Sequence, residues 1–192
     1  MINAGLLGLG WWGKLIIDTL KDSDKIRVTS ASSRTMGKHK EYLEENKINA
    51  FPTYDQMLEE NNIDAIIICT PNSQHEDQLK SAIKAKKQVF CEKPMALSRS
   101  SAENMIRIAN ENNFIIGIGH ERRYDPAIEK LKSIIDDDSF GEKMHIEANW
   151  SHDILASLEN DNWRGSSFEA PAGGMTGTCL LYTSPSPRDP SI

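Results

Sequence analysis

Short apolar segments alternate with amphipathic ones along the first part of the chain. Residues 2–8 form an apolar run that ends in glycine, and residues 14–21 carry apolar side chains at helical spacing. A β-branched run follows at residues 26–32, a helix-compatible segment lies between residues 36 and 46, and residues 50–51 mark a short third strand. The pattern predicts a strand, a tight turn and a helix, followed by further strand and helix units.

The next segments continue this alternation. Residues 65–70 form a continuous apolar run, which is typical of a central parallel strand covered on both faces. Helices are predicted over residues 73–87 and 98–113, and strands over residues 88–94 and 114–119. Strands and helices that alternate in this way indicate an α/β fold with a doubly wound parallel sheet, here over residues 1–120.

The pattern changes after residue 124. Residues 125–138 predict a helix with Pro126 in its first turn, and residues 143–151 predict a strand with a period of two. We therefore predict that a second domain, of α+β type and incomplete, begins at residue 121 and extends to residue 178.

Composition and charge exclude several classes of partner. The 28 acidic side chains outnumber the 22 basic ones and give a net charge of −6, which disfavours nucleic acid as a ligand. We found neither a membrane-length apolar run nor a secretion signal, and these features favour a cytoplasmic protein without membrane contact. The three cysteines lack metal-ligand spacing, so no metal site is predicted, and Cys69 and Cys91 are expected to be buried apolar side chains.

The glycine motif GLGWWG, at residues 8–13, closes the first predicted strand and opens the first helix. In this setting Gly8 would permit the tight turn, Gly10 would let a pyrophosphate approach the backbone, and Gly13 would let the helix pack on the strand. The motif predicts a dinucleotide-binding Rossmann domain in which Trp11 and Trp12 lie beside the cofactor. A purely structural glycine turn is the alternative.

The residues after the second strand bear on the choice of cofactor. NAD-binding domains commonly place a carboxylate here to hold the ribose diol, whereas this chain has Ser33 and Arg34. An arginine can pair with the 2′-phosphate of NADP and a serine can donate to it, so NADP is favoured over NAD. Arg34 as an exposed surface residue, or stacked on the adenine of NAD, remains open.

Polar side chains also follow three later strands of the predicted sheet. Ligands of open α/β sheets bind outside the carboxyl ends of the strands, so these groups are expected to meet in one crevice beside the glycine turn. They are Thr70, Pro71, Asn72 and His75 after one strand, Glu92, Lys93 and Pro94 after the next, and His120, Arg122, Arg123 and Tyr124 after the last.

In this order, the segments GLGWWG, CTPN with His75, CEKP and GHERRY resemble the motifs of the Gfo/Idh/MocA oxidoreductases. The resemblance spans residues 2 to about 178. It implies hydride transfer between a nicotinamide cofactor and a sugar or polyol carbinol, with the cofactor in the amino-terminal domain and the substrate on a carboxy-terminal sheet. It also implies a homo-oligomeric full-length protein.

The same resemblance implies a role for each motif residue. Lys93 would act on the reacting hydroxyl as the catalytic and substrate-binding residue, and its charge alone could stabilise a developing alkoxide. Thr70, Pro71, Asn72 and His75 would lie along the nicotinamide ribose, with Glu92 orienting them. Predicted substrate contacts are Trp163, Arg164, Arg123 and Tyr124, of which the last two could equally anchor the junction between domains.

The carboxy-terminal segment departs from the family pattern. Members continue into a glycine-rich segment with an aspartate and a histidine, but here Gly177 stands at the aspartate position and the histidine is missing. Residues 179–189 back-translate to a sequence that resembles a transposon-library adapter, so residues 179–192 are expected to be a non-native tail. A flexible natural tail is the alternative.

We therefore expect the supplied chain to be an inactive fragment of an NAD(P)-dependent dehydrogenase. Two other hypotheses stay open at this point: a non-catalytic sensor that binds a nicotinamide dinucleotide, and a stand-alone cofactor-binding module. The sensor hypothesis rests on Gly177 in place of the aspartate.

Overall fold

A computed structural model describes residues 1–145, 147 and 162–171. Its centre is a six-stranded sheet in the order β3-β2-β1-β4-β5-β6, and every neighbouring pair of strands is parallel. This arrangement confirms the predicted doubly wound parallel sheet. The strands are β1 (Ile2–Leu7), β2 (Ile26–Ser32), β3 (Asn49–Phe51), β4 (Ala65–Ile68), β5 (Gln88–Cys91) and β6 (Ile116–Ile118).

Helices connect the strands. The first begins directly after Gly10, three residues before the predicted segment, because the motif residues themselves form its first turn. A short helix before the fourth strand was not predicted; the Thr53 hydroxyl caps it by accepting from the Gln56 N–H. The helices are α1 (Trp11–Leu20), α2 (Lys40–Glu45), α3 (Tyr54–Leu58), α4 (His75–Lys84), α5 (Arg99–Glu111) and α6 (Pro126–Ile135).

Apolar side chains cover both faces of the sheet, as the continuous run at residues 65–70 predicts. Along β4, Ile66 and Ile68 pack into one buried cluster with Leu79 of α4, whereas Ile67 joins a second cluster on the other face. Alternate side chains of a strand point to opposite faces, so β4 is enclosed on both. Cys91 is fully buried, as expected, and its burial raises the pKa of the thiol to about 12.

The chain divides into two compact units, residues 1–119 and 120–192. The described part of the second unit contains α6, whose first residue Pro126 follows an Asp125 cap. No helix of the described residues is long and apolar enough to cross a membrane. Most of the predicted strand at residues 143–151, the glycine-rich segment at 172–177 and the tail at 179–192 lie outside the described residues.

A carboxylate joins two helices on one side of the sheet. Glu76 of α4 accepts hydrogen bonds from Ser101 and from the Asn104 amide of α5, the latter at 2.6 Å. Its oxygen also lies 2.7 Å from the Lys80 ammonium, and the Glu76 side chain keeps only 26% of its exposure. These partners, with the Lys80 hydrogen bond as the largest contribution, hold the pKa of the Glu76 carboxyl at about 2.

Replacing Glu76 with glutamine is expected to lower the free energy of unfolding at neutral pH by about 1 to 2 kcal/mol, since the side chain loses its charge opposite Lys80 and one of its two acceptor oxygens. The folded-state pKa is depressed, so this stabilisation is fully present above the ordinary value of 4.5 and is lost as the pH falls towards 2. Urea unfolding of both proteins at several pH values measures it. Glu111→Gln, which removes an exposed pair with Arg107 on α5, is the control; an equal loss there would contradict the prediction.

Candidate functional site

The first glycine of the motif is required by the backbone. Gly8 follows β1 with a φ of +101°, a conformation that side chains other than glycine rarely adopt. Its N–H donates to the Ser32 carbonyl at the end of β2. A Cβ here would lie 2.7 Å from the Cys69 carbonyl oxygen and 3.1 Å from the Thr70 nitrogen. The glycine turn therefore lies directly against the carboxyl end of β4.

The last glycine of the motif is required by packing. A Cβ on Gly13 would lie 2.1 Å from the Gly8 carbonyl oxygen and 3.1 Å from the Leu6 side chain. The first turn of α1 therefore approaches the end of β1 too closely for any side chain at this position.

The middle glycine has no such requirement. Gly10 has an ordinary extended backbone, with φ −70° and ψ −175°, and an added Cβ would meet no heavy atom of the described residues within 4 Å. It immediately precedes α1, and within the described chain no side chain caps that helix. Uncapped N–H groups at a helix start, beside open space that a Cβ would fill, fit the phosphates of a dinucleotide.

Two tryptophans form the first turn of α1. Trp11 is 72% exposed, whereas Trp12 is half-buried, and their rings lie 5.4 Å apart at a tilt of 48°. The Trp12 Nε1 is buried and has no hydrogen-bond partner among the described residues. The structure thus places both predicted residues at the helix start, with Trp11 as the accessible one.

The loop after β2 contains cationic side chains, and Lys14 of α1 lies near one of its residues, His39. Arg34 is exposed in the loop that follows the strand, next to the half-buried Ser33. Further along the chain the pKa of His39 is lowered, chiefly by burial and then by the positive charges of Lys14 and Lys38. The two lysines therefore lie close enough to influence the same imidazole. Arg34 and Lys38 are exposed in this loop.

The polar residues after β4 are held by the protein itself. The Thr70 hydroxyl donates to the Gln78 side chain of α4. Asn72 is buried and begins a short 3-10 turn directly after Pro71. His75 begins α4 and is fully buried: its Nδ1 lies 2.9 Å from the Pro94 carbonyl oxygen and its Nε2 lies 3.0 Å from the Thr70 carbonyl oxygen.

The turn after β5 contains Glu92, Lys93 and Pro94. The Glu92 N–H donates to the Ile68 carbonyl, which extends the pairing with β4. The buried Glu92 carboxylate accepts a hydrogen bond from the Lys93 backbone N–H at 3.2 Å. Lys93 itself is half-buried. These contacts fix the backbone from which Lys93 projects.

Sequence reasoning gave no role to one residue that packs against this turn, the first residue of the GHERRY segment. Gly119, just after β6, leaves space that the Glu92 carboxylate occupies, because a Cβ there would lie 2.5 Å from the Glu92 Oε1. The Gly119 N–H also donates to the Cys91 carbonyl. A glycine directly after a predicted strand was the available signal, but its partner 27 residues away was not visible in the sequence.

The remaining predicted residues belong to the second unit. Arg123 and Tyr124 lie in a 3-10 turn, Glu121–Tyr124, and Tyr124 is 75% exposed. Trp163 and Arg164 form another such turn, with the guanidinium 4.5 Å from the Trp163 ring centroid. Burial lowers the pKa of Arg164.

Comparisons with known proteins found relatives that are described as dehydrogenases or oxidoreductases. D-xylose 1-dehydrogenase [NADP(+)] of Haloarcula marismortui is 27% identical, over 94% of this chain and 50% of that protein. An oxidoreductase structure from Desulfitobacterium hafniense superposes with a TM-score of 0.85 at 26% identity, covering 94% of this chain and 52% of that one. Scyllo-inositol dehydrogenase from Lactobacillus casei gives a TM-score of 0.69 at 27% identity, covering 74% and 43%.

The chain therefore spans about half the length of these proteins, or less. A family model, described as an oxidoreductase family with an NAD-binding Rossmann fold, matches residues 2–120. This range contains the glycine turn, the loop after β2 and the turns after β4 and β5. On this match, the chain belongs to the Gfo/Idh/MocA oxidoreductase family.

Proposed function

We propose that the protein to which this chain belongs transfers a hydride between a nicotinamide dinucleotide and a sugar or polyol carbinol. The observation that carries the proposal is Gly10, the one motif glycine that neither its backbone angles nor its described neighbours require. A ligand that must approach the backbone supplies the missing reason. Relatives support the substrate class: one is a D-xylose dehydrogenase using NADP(+), and another was solved with NAD(H) and scyllo-inositol.

The bound nicotinamide supplies the hydride acceptor or donor. Gly10 and the start of α1 would hold the pyrophosphate, and Thr70 and Asn72 would lie towards the nicotinamide ribose. Lys93 would hydrogen-bond the substrate hydroxyl and stabilise negative charge that develops on its oxygen. Glu92, fixed against Gly119, would hold the Lys93 backbone. Contacts to the substrate from Arg123, Tyr124, Trp163 and Arg164 stay predictions.

Gly10→Ala tests the proposal directly. The new methyl group would meet no described atom, so the protein is expected to fold, with a loss of stability no larger than the roughly 1 kcal/mol that alanine costs at a helix N-cap. The methyl would fill the space assigned to the pyrophosphate, so the affinity for NADP(H) and NAD(H) should fall by at least about tenfold, the equivalent of 1.4 kcal/mol. Calorimetric titration and urea unfolding measure the two effects.

Gly165→Ala is the matched control, because a Cβ at Gly165 is equally free of described neighbours and the residue belongs to the second unit, where no residue is assigned to the dinucleotide. It should leave both stability and affinity unchanged. Undiminished dinucleotide binding by Gly10→Ala would remove the main support for the proposal.

We further propose that NADP binds at least as tightly as NAD. The support is the loop after β2, where Arg34 is exposed and Lys38 lies near enough to influence His39. A 2′-phosphate beside Arg34 would gain charge-assisted hydrogen bonds that NAD cannot form.

Arg34→Ala is expected to weaken NADP binding by about 1 to 3 kcal/mol, the range for a hydrogen bond to a charged group, and to change NAD binding far less. Titration of each variant with both cofactors measures the difference. Arg27→Ala provides the control, since Arg27 is exposed at the opposite end of β2. Equal losses for NAD and NADP would instead indicate stacking on the adenine.

The isolated 192-residue chain is expected to show no turnover. This stays a prediction, since the glycine-rich segment on which it rests lies outside the described residues. Assay of the purified chain with NADP and a panel of polyols measures it.

A further inference from the structure

His75 joins two segments of the candidate site. One acceptor, the Thr70 carbonyl, lies just beyond β4, and the other, the Pro94 carbonyl, lies just beyond the Lys93 position after β5. The strands pair up to Ile68 and Cys91. Beyond this pair the Glu92 N–H still donates to the Ile68 carbonyl, and the His75 ring then lies between the Thr70 and Pro94 carbonyl groups.

The ring is enclosed by protein. His75 has 0% of its surface exposed, and both of its nitrogens lie within hydrogen-bond distance of backbone oxygens. A side chain in this setting has no surface with which to contact a ribose. Any influence on a ligand must pass through the groups that it holds.

The segments that His75 contacts contain Thr70 and Lys93, which are assigned above to the cofactor and the substrate. Thr70 also donates from its hydroxyl to Gln78 of α4, so the helix that begins at His75 fixes this residue twice. The Pro94 carbonyl follows Lys93 directly, and the Lys93 N–H is bound by Glu92. Glu92 thus contacts the Lys93 N–H, and His75 contacts the carbonyl of the residue that follows Lys93.

We propose that His75 is a positioning residue that sets the spacing between Thr70 and Lys93 and so shapes the nicotinamide half of the cofactor site. The proposal rests on the function proposed above. A neutral imidazole has one N–H, so without the ring one of these half-buried carbonyl groups loses its donor, and the two segments lose the group that lies between them. The adenosine half, which the loop after β2 would hold, does not depend on this contact.

The test separates the two halves of the cofactor. The full 192-residue chain is titrated with NADPH and with 2′,5′-ADP, which contains the adenosine half alone. His75→Met, which removes both polar contacts, is expected to weaken NADPH by about tenfold and to leave 2′,5′-ADP within about twofold. His75→Gln keeps an amide donor and should recover part of the loss.

His39→Gln is the control, because His39 is a half-buried histidine near the adenosine side, where its ring contacts the Thr35 hydroxyl. It should not selectively weaken NADPH relative to 2′,5′-ADP. A parallel loss of both ligands in the His75 variants, or unfolding of both variants, would assign His75 to the core and overturn the proposal. Unchanged NADPH binding would overturn it too. If the wild-type chain binds neither ligand, the proposed function itself fails, and this inference with it.

Discussion

Replacing Gly13 with alanine is expected to destabilise the protein by about 3 to 5 kcal/mol, because the added Cβ would overlap the backbone. The nearest atom, the Gly8 carbonyl oxygen, lies 2.1 Å from the Cβ position, and Leu6 blocks another direction. The carbonyl belongs to the turn itself, so relief requires α1 to move away from β1. Urea unfolding of the variant measures the loss.

Gly10→Ala is the matched comparison, because it makes the same substitution at another glycine of the motif. There the Cβ meets no described atom, so stability should fall by no more than about 1 kcal/mol while the dinucleotide is lost. Gly13→Ala should lose both stability and dinucleotide binding, because a shift of α1 also displaces the N–H groups at its start. Wild-type stability in Gly13→Ala would mean that the close approach of α1 to Gly8 is not rigid.

Lys93→Ala is expected to lower turnover by roughly 10² to 10⁴-fold, the range for losing a residue that stabilises charge or transfers a proton at the reacting oxygen. Dinucleotide affinity should change little, because Gly10 and the start of α1 are assigned to the pyrophosphate. The measurement requires a full-length protein that contains these residues, with the turnover number and the cofactor dissociation constant determined separately.

Lys84→Ala, an exposed lysine in the last turn of α4, is the control and should leave both quantities unchanged. A loss of cofactor affinity without a loss of turnover in Lys93→Ala would assign this lysine to the binding of the cofactor. A loss of stability alone would assign it to the fold.

Local pattern was sufficient to predict the sheet and the glycine turn. The continuous apolar run at residues 65–70 required a strand covered on both faces, and β4 is such a strand. The glycines of GLGWWG stand where a strand ends and a helix begins, so their positions follow from the chain alone. Short-range features of this kind are visible in any window of sequence.

Contacts between distant segments were not predictable in the same way. His75 was predicted beside the nicotinamide ribose, but the structure places its ring against the carbonyl of Pro94, 19 residues away. A lysine is usually a surface residue, yet Lys87 is buried and its ammonium donates to the carbonyls of Glu60 and Ile63. Each side chain found a partner that only the packing of helices on the sheet brings close.

The sequence by itself therefore determined the order of strands and helices, the glycine turn and the polar residues at the strand ends, because hydrophobic periodicity and backbone freedom are local properties. Only the tertiary structure decided which of these residues lie beside open space and which contact other residues. The difference between Gly10 and Gly13 shows why. Both residues are glycine, and they differ in the space at the position that a Cβ would occupy. This space is open at Gly10 and filled by the Gly8 carbonyl at Gly13.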